Sequence, residues 1–400
     1  MAKNALTKRQ MVSAEGWLEW AEQISPKNAE AEFLRGRVAR KNGQLDQMAD
    51  FLKSANKLGY DKQKLQREQD LALAAMGRLG EGVEERLQGW LQESPADTDE
   101  IIDAYVNGLT ALSRFDDATK MLAAWEEAAP NDPVVNYRRA RIHEHFYQAD
   151  AAEKEYRRAI AKDPSFLKAS YHLARVLLQQ RLPEEAAKYF RACDSGAASL
   201  AAKTGLAGCY RSLGESEKAR EILREVVQFS HAELLASYRS VDEAPERFVA
   251  ASDLGSIETE MGDFVAARKY LEMALEQFPL DSIARYSYAV ALRGLGLRKE
   301  ADENFEMTRV ARAALDQVSE LQEVLRKDPY DTAARLRIGK IVLENESERT
   351  GVFWIQSVFA YDAENVEAHA LLVDHFENKP KPSADDVKLA AYHRSFLPKQ

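Results

Sequence analysis

Cysteine is nearly absent from the 400-residue sequence, which contains only Cys193 and Cys209. They lack the close spacing of a zinc-binding or redox pair, and two cysteines make no disulfide framework. Helix breakers are also scarce, with 12 prolines and 19 glycines. Because proline and glycine interrupt regular structure, this shortage favours long helices over many short strands.

Long apolar stretches are missing as well. No run approaches the roughly 18 apolar residues that cross a bilayer, and the first ten residues carry charge without the apolar core of a signal peptide. The 55 basic residues are outnumbered by 65 acidic ones, so the formal net charge is −10. Non-specific nucleic-acid binding needs basic side chains that displace phosphate counterions. We therefore expect no membrane span in this chain and no nucleic-acid partner.

An internal repeat is the strongest feature that the sequence does contain. A small residue, twice replaced by a larger apolar one, recurs along the chain, and seven of the nine intervals are 33 to 35 residues. The recurring positions are Ala14, Met48, Val83, Ala118, Ala152, Ala186, Ala219, Ala267, Ala301 and Gly351. Small residues let two helices approach closely. A constant period of this length is typical of arrays in which each unit packs on its neighbours.

Further registers divide each unit into two helices. Twelve residues before the recurring positions lie Gly36, Leu71, Val106, Ala140, Ala174, Ala207, Gly255, Ala289 and Gly339. Twelve residues after them lie Pro26, Pro95, Pro130, Pro164 and Pro279, and between the two helices lie Gly43, Gly214, Gly262 and Gly296. Proline cannot continue a helix interior, and glycine often ends a helix. Each unit is therefore predicted to be helix, turn, helix and loop.

In these small-residue and proline positions the chain resembles the tetratricopeptide repeat family, whose unit is a helix–turn–helix of roughly 34 residues. The resemblance covers about residues 5–378. It implies an all-α fold, a right-handed superhelical solenoid of about ten repeats. Leu71, Val83 and Val106 stand where the family prefers small residues, which leaves the packing angle of the second and third units open.

The whole chain, residues 1–400, is predicted to be one such solenoid, interrupted twice. Its parts are a half repeat (5–28), repeats (29–231), an insertion (232–247), repeats (248–311), a helical insertion (312–331), repeats (332–378) and a C-terminal capping helix (379–400). The insertions lengthen the period by 14 and 16 residues. Each is expected either to add a contact surface or to lengthen a helix, and the first is alternatively a projecting loop. Ser383 is the predicted cap of the last helix.

The half repeat at residues 5–28 supplies only the second helix of a unit. An uncapped repeat exposes the apolar face that a neighbour normally buries. The pattern leaves open whether the natural chain continues upstream with an anchor or targeting segment. The compartment is open too, since a soluble chain of this kind fits the cytoplasm or the periplasm.

Linear signatures of enzymes are not found. The sequence has no glycine-rich phosphate loop after a strand, no zinc-protease histidine pair and no serine elbow. Among the seven histidines, His143 and His145 point to different faces of a helix, and His369 and His375 are also poorly aligned for a shared metal. We therefore predict no catalytic, cofactor-binding or metal-binding residues.

The resemblance also implies where a partner would bind, because in this family the first helices line a concave groove that binds extended peptides or partner segments. By that mapping Phe33, Tyr137, Tyr171 and Tyr286 occupy equivalent positions, and Arg37, Arg141 and Arg175 follow the first three by four residues. Residues i and i+4 share a helix face, so each pair sets an aromatic ring beside a guanidinium that can hold a carboxylate. The other basic residues mapped to the groove are Arg40, Lys41, Lys168, Arg211, Arg293 and Lys340.

The sequence thus predicts a non-catalytic scaffold or adaptor that binds a protein or peptide partner, acidic or extended, in the groove. The middle of the groove is basic, and replacing Arg141 and Arg175 with Glu is expected to abolish capture. In the competing interpretation, the arginines only cover apolar surface and solvate the groove. Two other functions remain as alternatives, a self-assembling structural protein and a regulatory subunit of an enzyme complex.

Overall fold

The computed structural model describes Ala2 and residues 11–25, 27–80, 82–93, 97–245, 247–328, 330–379 and 381–398. Within these residues all regular structure is helical, with 22 α-helices and two short 3₁₀ turns, so the all-α prediction is confirmed. Residues 5–10, Pro26 and Pro95, which carry parts of the predicted pattern, lie outside the described residues.

The chain divides into two compact units, an N-terminal unit (Met1–Pro245) and a C-terminal unit (Glu246–Gln400). The boundary between the two units lies near the end of the predicted first insertion, residues 232–247. Near this boundary the described residues 241–245 and 247–248 are not helical.

The N-terminal unit contains helices α1 to α14. Their bounds are α1 Met11–Ile24, α2 Ala29–Lys41, α3 Leu45–Lys57, α4 Lys62–Ala75, α5 Val83–Glu93, α6 Thr98–Ala111, α7 Phe115–Ala128, α8 Pro133–His145, α9 Ala149–Lys162, α10 Leu167–Gln179, α11 Pro183–Cys193, α12 Ser199–Ser212, α13 Ser216–Val226 and α14 His231–Ser240. The bounds in the C-terminal unit are α15 Val249–Glu260, α16 Phe264–Gln277, α17 Ser282–Gly294, α18 Arg298–Lys327, α19 Thr332–Asn345, α20 Glu348–Gln356, α21 Val366–Glu377 and α22 Ala384–Arg394.

Successive helices form ten packed pairs, from α2 with α3 to α21 with α22, whereas α1 and α14 stand outside this pairing. The small residues of the predicted register lie where the paired helices meet. Ala118, Ala152, Ala186 and Ala219 are fully buried, and so is Ala174 in the earlier register. Because an alanine at the contact lets two helices approach closely, the repeat register that the sequence predicts is confirmed.

The two insertions have different structures. The first forms the short helix α14, which begins with a capping box between Ser230 and Glu233 and packs against α12. The second insertion is no separate helix, since α18 runs without a break for 30 residues from Arg298 to Lys327. Residues 312–327 of the predicted second insertion therefore lengthen this helix.

The last helix, α22, is capped by Ser383, as the sequence predicts. The Ser383 hydroxyl accepts a hydrogen bond from the Asp386 amide, and the Asp386 carboxylate accepts one from the Ser383 amide. Inside this end of the chain, His393 of α22 contacts His369 of α21, with 2.9 Å between their Nδ1 atoms. None of the helices among the described residues combines the length and apolar composition that a membrane crossing requires.

Candidate partner-binding groove

The predicted groove begins on α2, where three basic residues meet carboxylates of the next two first helices. Arg37 and Arg40 each donate from Nε to Glu68 of α4, over 2.7 and 2.6 Å. The Lys41 ammonium lies 2.7 Å from Glu100 of α6. Burial lowers the pKa of Lys41, which Glu100 only partly offsets. These three predicted binding residues are thus engaged inside the chain, as ties between successive repeats.

Three of the four predicted aromatic residues are buried. Phe33, Tyr137 and Tyr171 are 3%, 1% and 3% exposed. The Phe33 ring stacks on Tyr60 at a centroid distance of 4.5 Å, and Tyr171 meets Phe190 edge-on at 5.6 Å. Their rings belong to the core of the repeats, where they present no free face for stacking on a partner.

In the middle of the groove a segment of the chain itself lies on the first helices. We name Val241, Asp242 and Glu243, the residues that follow α14, the acidic turn. Asp242 has φ +55°, a conformation that aspartate tolerates better than most residues. Its amide bonds to the Arg239 carbonyl and the Glu243 amide to the Tyr238 carbonyl. In this conformation the Asp242 carboxylate faces α8 and α10, and the Glu243 carboxylate faces α10.

Asp242 is held from both helices. Lys168 of α10 lies 2.7 Å from Asp242 Oδ1, and the Tyr137 hydroxyl of α8 donates to Oδ2 over 3.1 Å. The Arg138 guanidinium, also on α8, is 3.6 Å from the same oxygen. Burial alone would raise the pKa of Asp242, but Lys168 and Arg138 lower it to about 2. The carboxylate is therefore ionised at neutral pH.

Glu243 and the main chain of the turn are held by α10. Glu243 forms an ion pair with Arg175. His172 is fully buried, and its Nε2 lies 2.8 Å from the Val241 carbonyl oxygen, whereas its Nδ1 lies 2.8 Å from Arg141. Since a guanidinium can only donate, Nδ1 is the acceptor and Nε2 carries the proton. Burial, together with Arg141 and Arg175, lowers the pKa of His172 well below its usual range, so the ring is neutral.

Charge around the acidic turn is balanced. Four cations and four carboxylates form the cluster, and two of the carboxylates belong to the turn. Its members are Arg138, Arg141, Lys168, Arg175, Asp103, Glu144, Asp242 and Glu243. The Lys168 and Arg175 side chains keep 28% and 29% of their surface exposed, so their outer edges still face solvent.

The remaining predicted residues lie elsewhere. Arg211 is in the last turn of α12. Tyr286 of α17 is 43% exposed, with the Arg312 guanidinium 4.8 Å from its ring centre. Arg293, also on α17, pairs with Asp302 over 2.9 Å and covers the Phe305 ring. The acidic turn thus joins the residues predicted for the middle of the groove, whereas Tyr286 and Arg293 belong to the C-terminal unit.

Neither cysteine suits nucleophilic chemistry, because burial raises the pKa of Cys193 to about 12 and that of Cys209 to about 11. Among the described residues no three or more His, Cys, Asp or Glu side chains are grouped so as to hold a metal ion. The arrangement on α8 and α10 can recognise carboxylates and a main-chain carbonyl.

A family model described as tetratricopeptide repeat matches residues 137–199 and 252–303. These ranges include all of α9, α10, α11, α16 and α17, most of α8 and α15, and only the first turns of α18. These two stretches of the chain are tetratricopeptide repeats. Proteins of this family are generally non-catalytic, and the fold is in general one of scaffolds for protein–protein interaction, with proteins or peptides as partners.

The chain is similar to several solved structures. One is an APC/C hetero-tetramer, Cut9-Hcn1, with 12% identity, a TM-score of 0.47, and coverage of 91% of this chain and 63% of that one. Human IFIT1 with PPP-AAAA has 16% identity, a TM-score of 0.45, and coverage of 94% and 92%. YrrB, described as having an unusual peptide-binding site, has 15% identity, a TM-score of 0.29, and coverage of 54% and 96%. No curated protein sequence matches the chain.

Proposed function

We propose that this repeat protein is a non-catalytic scaffold that holds a segment of a partner protein against α8 and α10 of its N-terminal unit. The groove is defined here as the part of α8 and α10 that the acidic turn covers, with Tyr137, Arg138, Lys168, His172 and Arg175. The observation that supports the proposal is the acidic turn. A non-helical stretch of polypeptide already lies on this surface, held through both side chains and one main-chain carbonyl.

The side chains of the groove are of the kinds that recognise polypeptides well. Arginine and tyrosine are enriched among the residues that dominate interface energies. Guanidinium and ammonium groups make stronger hydrogen bonds with carboxylates than neutral groups do. Lys168 and Arg175 also remain partly exposed, so a partner reaches them from solvent.

The test is selection of peptides from a displayed library of short random sequences with the intact chain. Affinities of the selected peptides are then compared for the wild-type chain and a Lys168→Gln/Arg175→Gln variant. The groove variant is expected to lose about tenfold or more in affinity, corresponding to about 1.4 kcal/mol.

A matched control removes two arginines from an exposed helix. Arg309→Gln/Arg326→Gln changes two side chains of α18 that are 68% and 67% exposed. Each forms an ion pair within the same helix, Arg309 with Glu306 and Arg326 with Glu323. This variant is expected to bind like the wild type. Equal losses in the two variants would show a general charge effect and contradict the groove.

The charge reversal suggested by the sequence, Glu at both Arg141 and Arg175, is a poor test in the folded chain. Arg141 lies between His172 and Glu144, and Arg175 holds Glu243. Two new carboxylates there would face existing carboxylates in a largely buried site, and unpaired buried charge is strongly destabilising. Glutamine is the better replacement, because it retains a hydrogen-bond donor.

A further inference from the structure

We propose that the groove recognises an apolar residue followed by two adjacent carboxylates, and that the acidic turn is a built-in competitor for partner segments with this chemistry. The inference rests on the proposed function and specifies both the partner class and its regulation. A matching partner carries an Asp-Glu pair after an apolar residue, as Val241, Asp242 and Glu243 do.

Each residue of the turn has its own site in the groove. Asp242 is held by Lys168 and Tyr137, and Glu243 by Arg175. The Val241 carbonyl accepts a hydrogen bond from His172 Nε2. The Val241 side chain is 1% exposed within the apolar core of α8 to α12. Two carboxylates, one carbonyl and one apolar side chain therefore define what the surface accepts.

The charge balance makes an acidic ligand necessary. When the two carboxylates of the turn leave their sites, four cations of the cluster face only Asp103 and Glu144. Cations in a partly buried site are costly without partners. An incoming segment must therefore bring negative charge, and a neutral peptide cannot replace the turn.

Exchange requires the acidic turn to leave its sites but not the helix before it. Leu234 and Tyr238 of α14 are buried, so α14 stays anchored. The Asp242 and Glu243 side chains keep 26% and 18% of their surface exposed, which gives each a path into solvent. Because the competitor is tethered, it acts at an effective concentration in the millimolar range and weakens binding of every matching partner.

The competition is tested with a fluorescein-labelled peptide that copies residues 236–245, Ala-Ser-Tyr-Arg-Ser-Val-Asp-Glu-Ala-Pro. It is titrated into the full wild-type chain and into an Asp242→Asn/Glu243→Gln variant, with fluorescence anisotropy as the readout. The variant is expected to bind the peptide at least about tenfold more tightly than the wild type. A second peptide with Asn-Gln in place of Asp-Glu is expected to bind neither chain.

Two results would overturn the inference. Equal affinity of the wild-type chain and the variant for the acidic peptide contradicts competition by the turn. Equal affinity of the variant for the two peptides contradicts carboxylate recognition. If the Asp242→Asn/Glu243→Gln variant fails to fold, the single variant Glu243→Gln is used instead, because it keeps the ion pairs of Asp242. It is expected to bind the acidic peptide several-fold more tightly than the wild-type chain does.

Failure of the inference differs from failure of the proposed function. Library peptides could bind in a Lys168- and Arg175-dependent manner while the acidic peptide does not bind the Asp242→Asn/Glu243→Gln variant. That result would support the proposed function and contradict this inference. If no library peptide depends on Lys168 and Arg175, the proposed function itself falls.

Discussion

Lys168 on α10 donates a hydrogen bond to Asp242, which lies 74 residues later in the chain, with 2.7 Å between Nζ and Oδ1. This contact fastens the end of the first insertion to a first helix of the repeat array. It joins a residue that the repeat pattern predicts to one that lies outside the pattern.

The Lys168–Asp242 pair is expected to show a coupling free energy of about 1–2 kcal/mol, because a charge-assisted hydrogen bond in a partly buried site contributes in this range. A double-mutant cycle with Lys168→Gln and Asp242→Asn, followed by urea unfolding, measures it. Additivity of the two single changes within experimental error would show that the contact is not formed in solution.

The pKa of Asp242 gives a pH dependence with a defined sign. Its folded value of about 2 lies below the ordinary 3.8, so the carboxylate stabilises the fold above about pH 4. This contribution is lost as the pH falls from about 4 to about 2, in total about 2.5 kcal/mol.

Carboxyl-carbon NMR titration of Asp242 measures this pKa directly. Lys168→Gln is expected to raise it towards 4, because the nearest cation is removed. A titration of wild-type Asp242 near its ordinary value would contradict the ion pairs described for the turn.

Two glycines of α12 test the packing of the repeats. A Cβ at Gly205 would collide with the buried ring of Phe190, whereas a Cβ at Gly208 would meet only Leu178, at 3.4 Å. Gly205→Ala is therefore expected to destabilise the chain by about 1–3 kcal/mol. Gly208→Ala is expected to stabilise it by up to about 1 kcal/mol through helix propensity. Urea unfolding of both variants compares them, and similar effects at the two positions would contradict the packing of α12 on α11.

His393 tests the closure of the C-terminal unit by α22. Burial and the neighbouring His369 lower the pKa of His393 to about 4. Because the unfolded histidine takes up a proton near pH 6.5 and the folded one near pH 4, stability is expected to fall across this window as the pH falls. For one histidine the free energy of unfolding changes by at most about 1.4 kcal/mol per pH unit. NMR titration of the ring checks the assignment, and a midpoint near 6.5 would show that α22 does not bury it.

The fold was predictable because helix packing is periodic. Residues such as Ala118 and Ala152 recur where paired helices touch, so their spacing in the sequence carries the architecture. The same spacing does not show what covers a residue. Phe33 occupies the place expected for a groove aromatic, but Tyr60 lies over it.

The centre of the candidate groove was only half predictable. Lys168 and Arg175 lie on first helices, so the repeat pattern identifies them. Asp242 and Glu243 belong to an insertion with no periodic relation to the helices that they contact. Arg138 and His172 are neighbours of predicted residues, but only the position of the acidic turn shows that they face it.

The most direct test of the account is a chemical-shift map of a library-selected peptide on the intact, isotope-labelled chain. The largest changes are expected in α8, in α10 and in the acidic turn, and they should be absent from the Lys168→Gln/Arg175→Gln variant. Changes confined to the C-terminal unit, around Tyr286 and Arg293, would contradict the proposal that the groove of the N-terminal unit binds the partner.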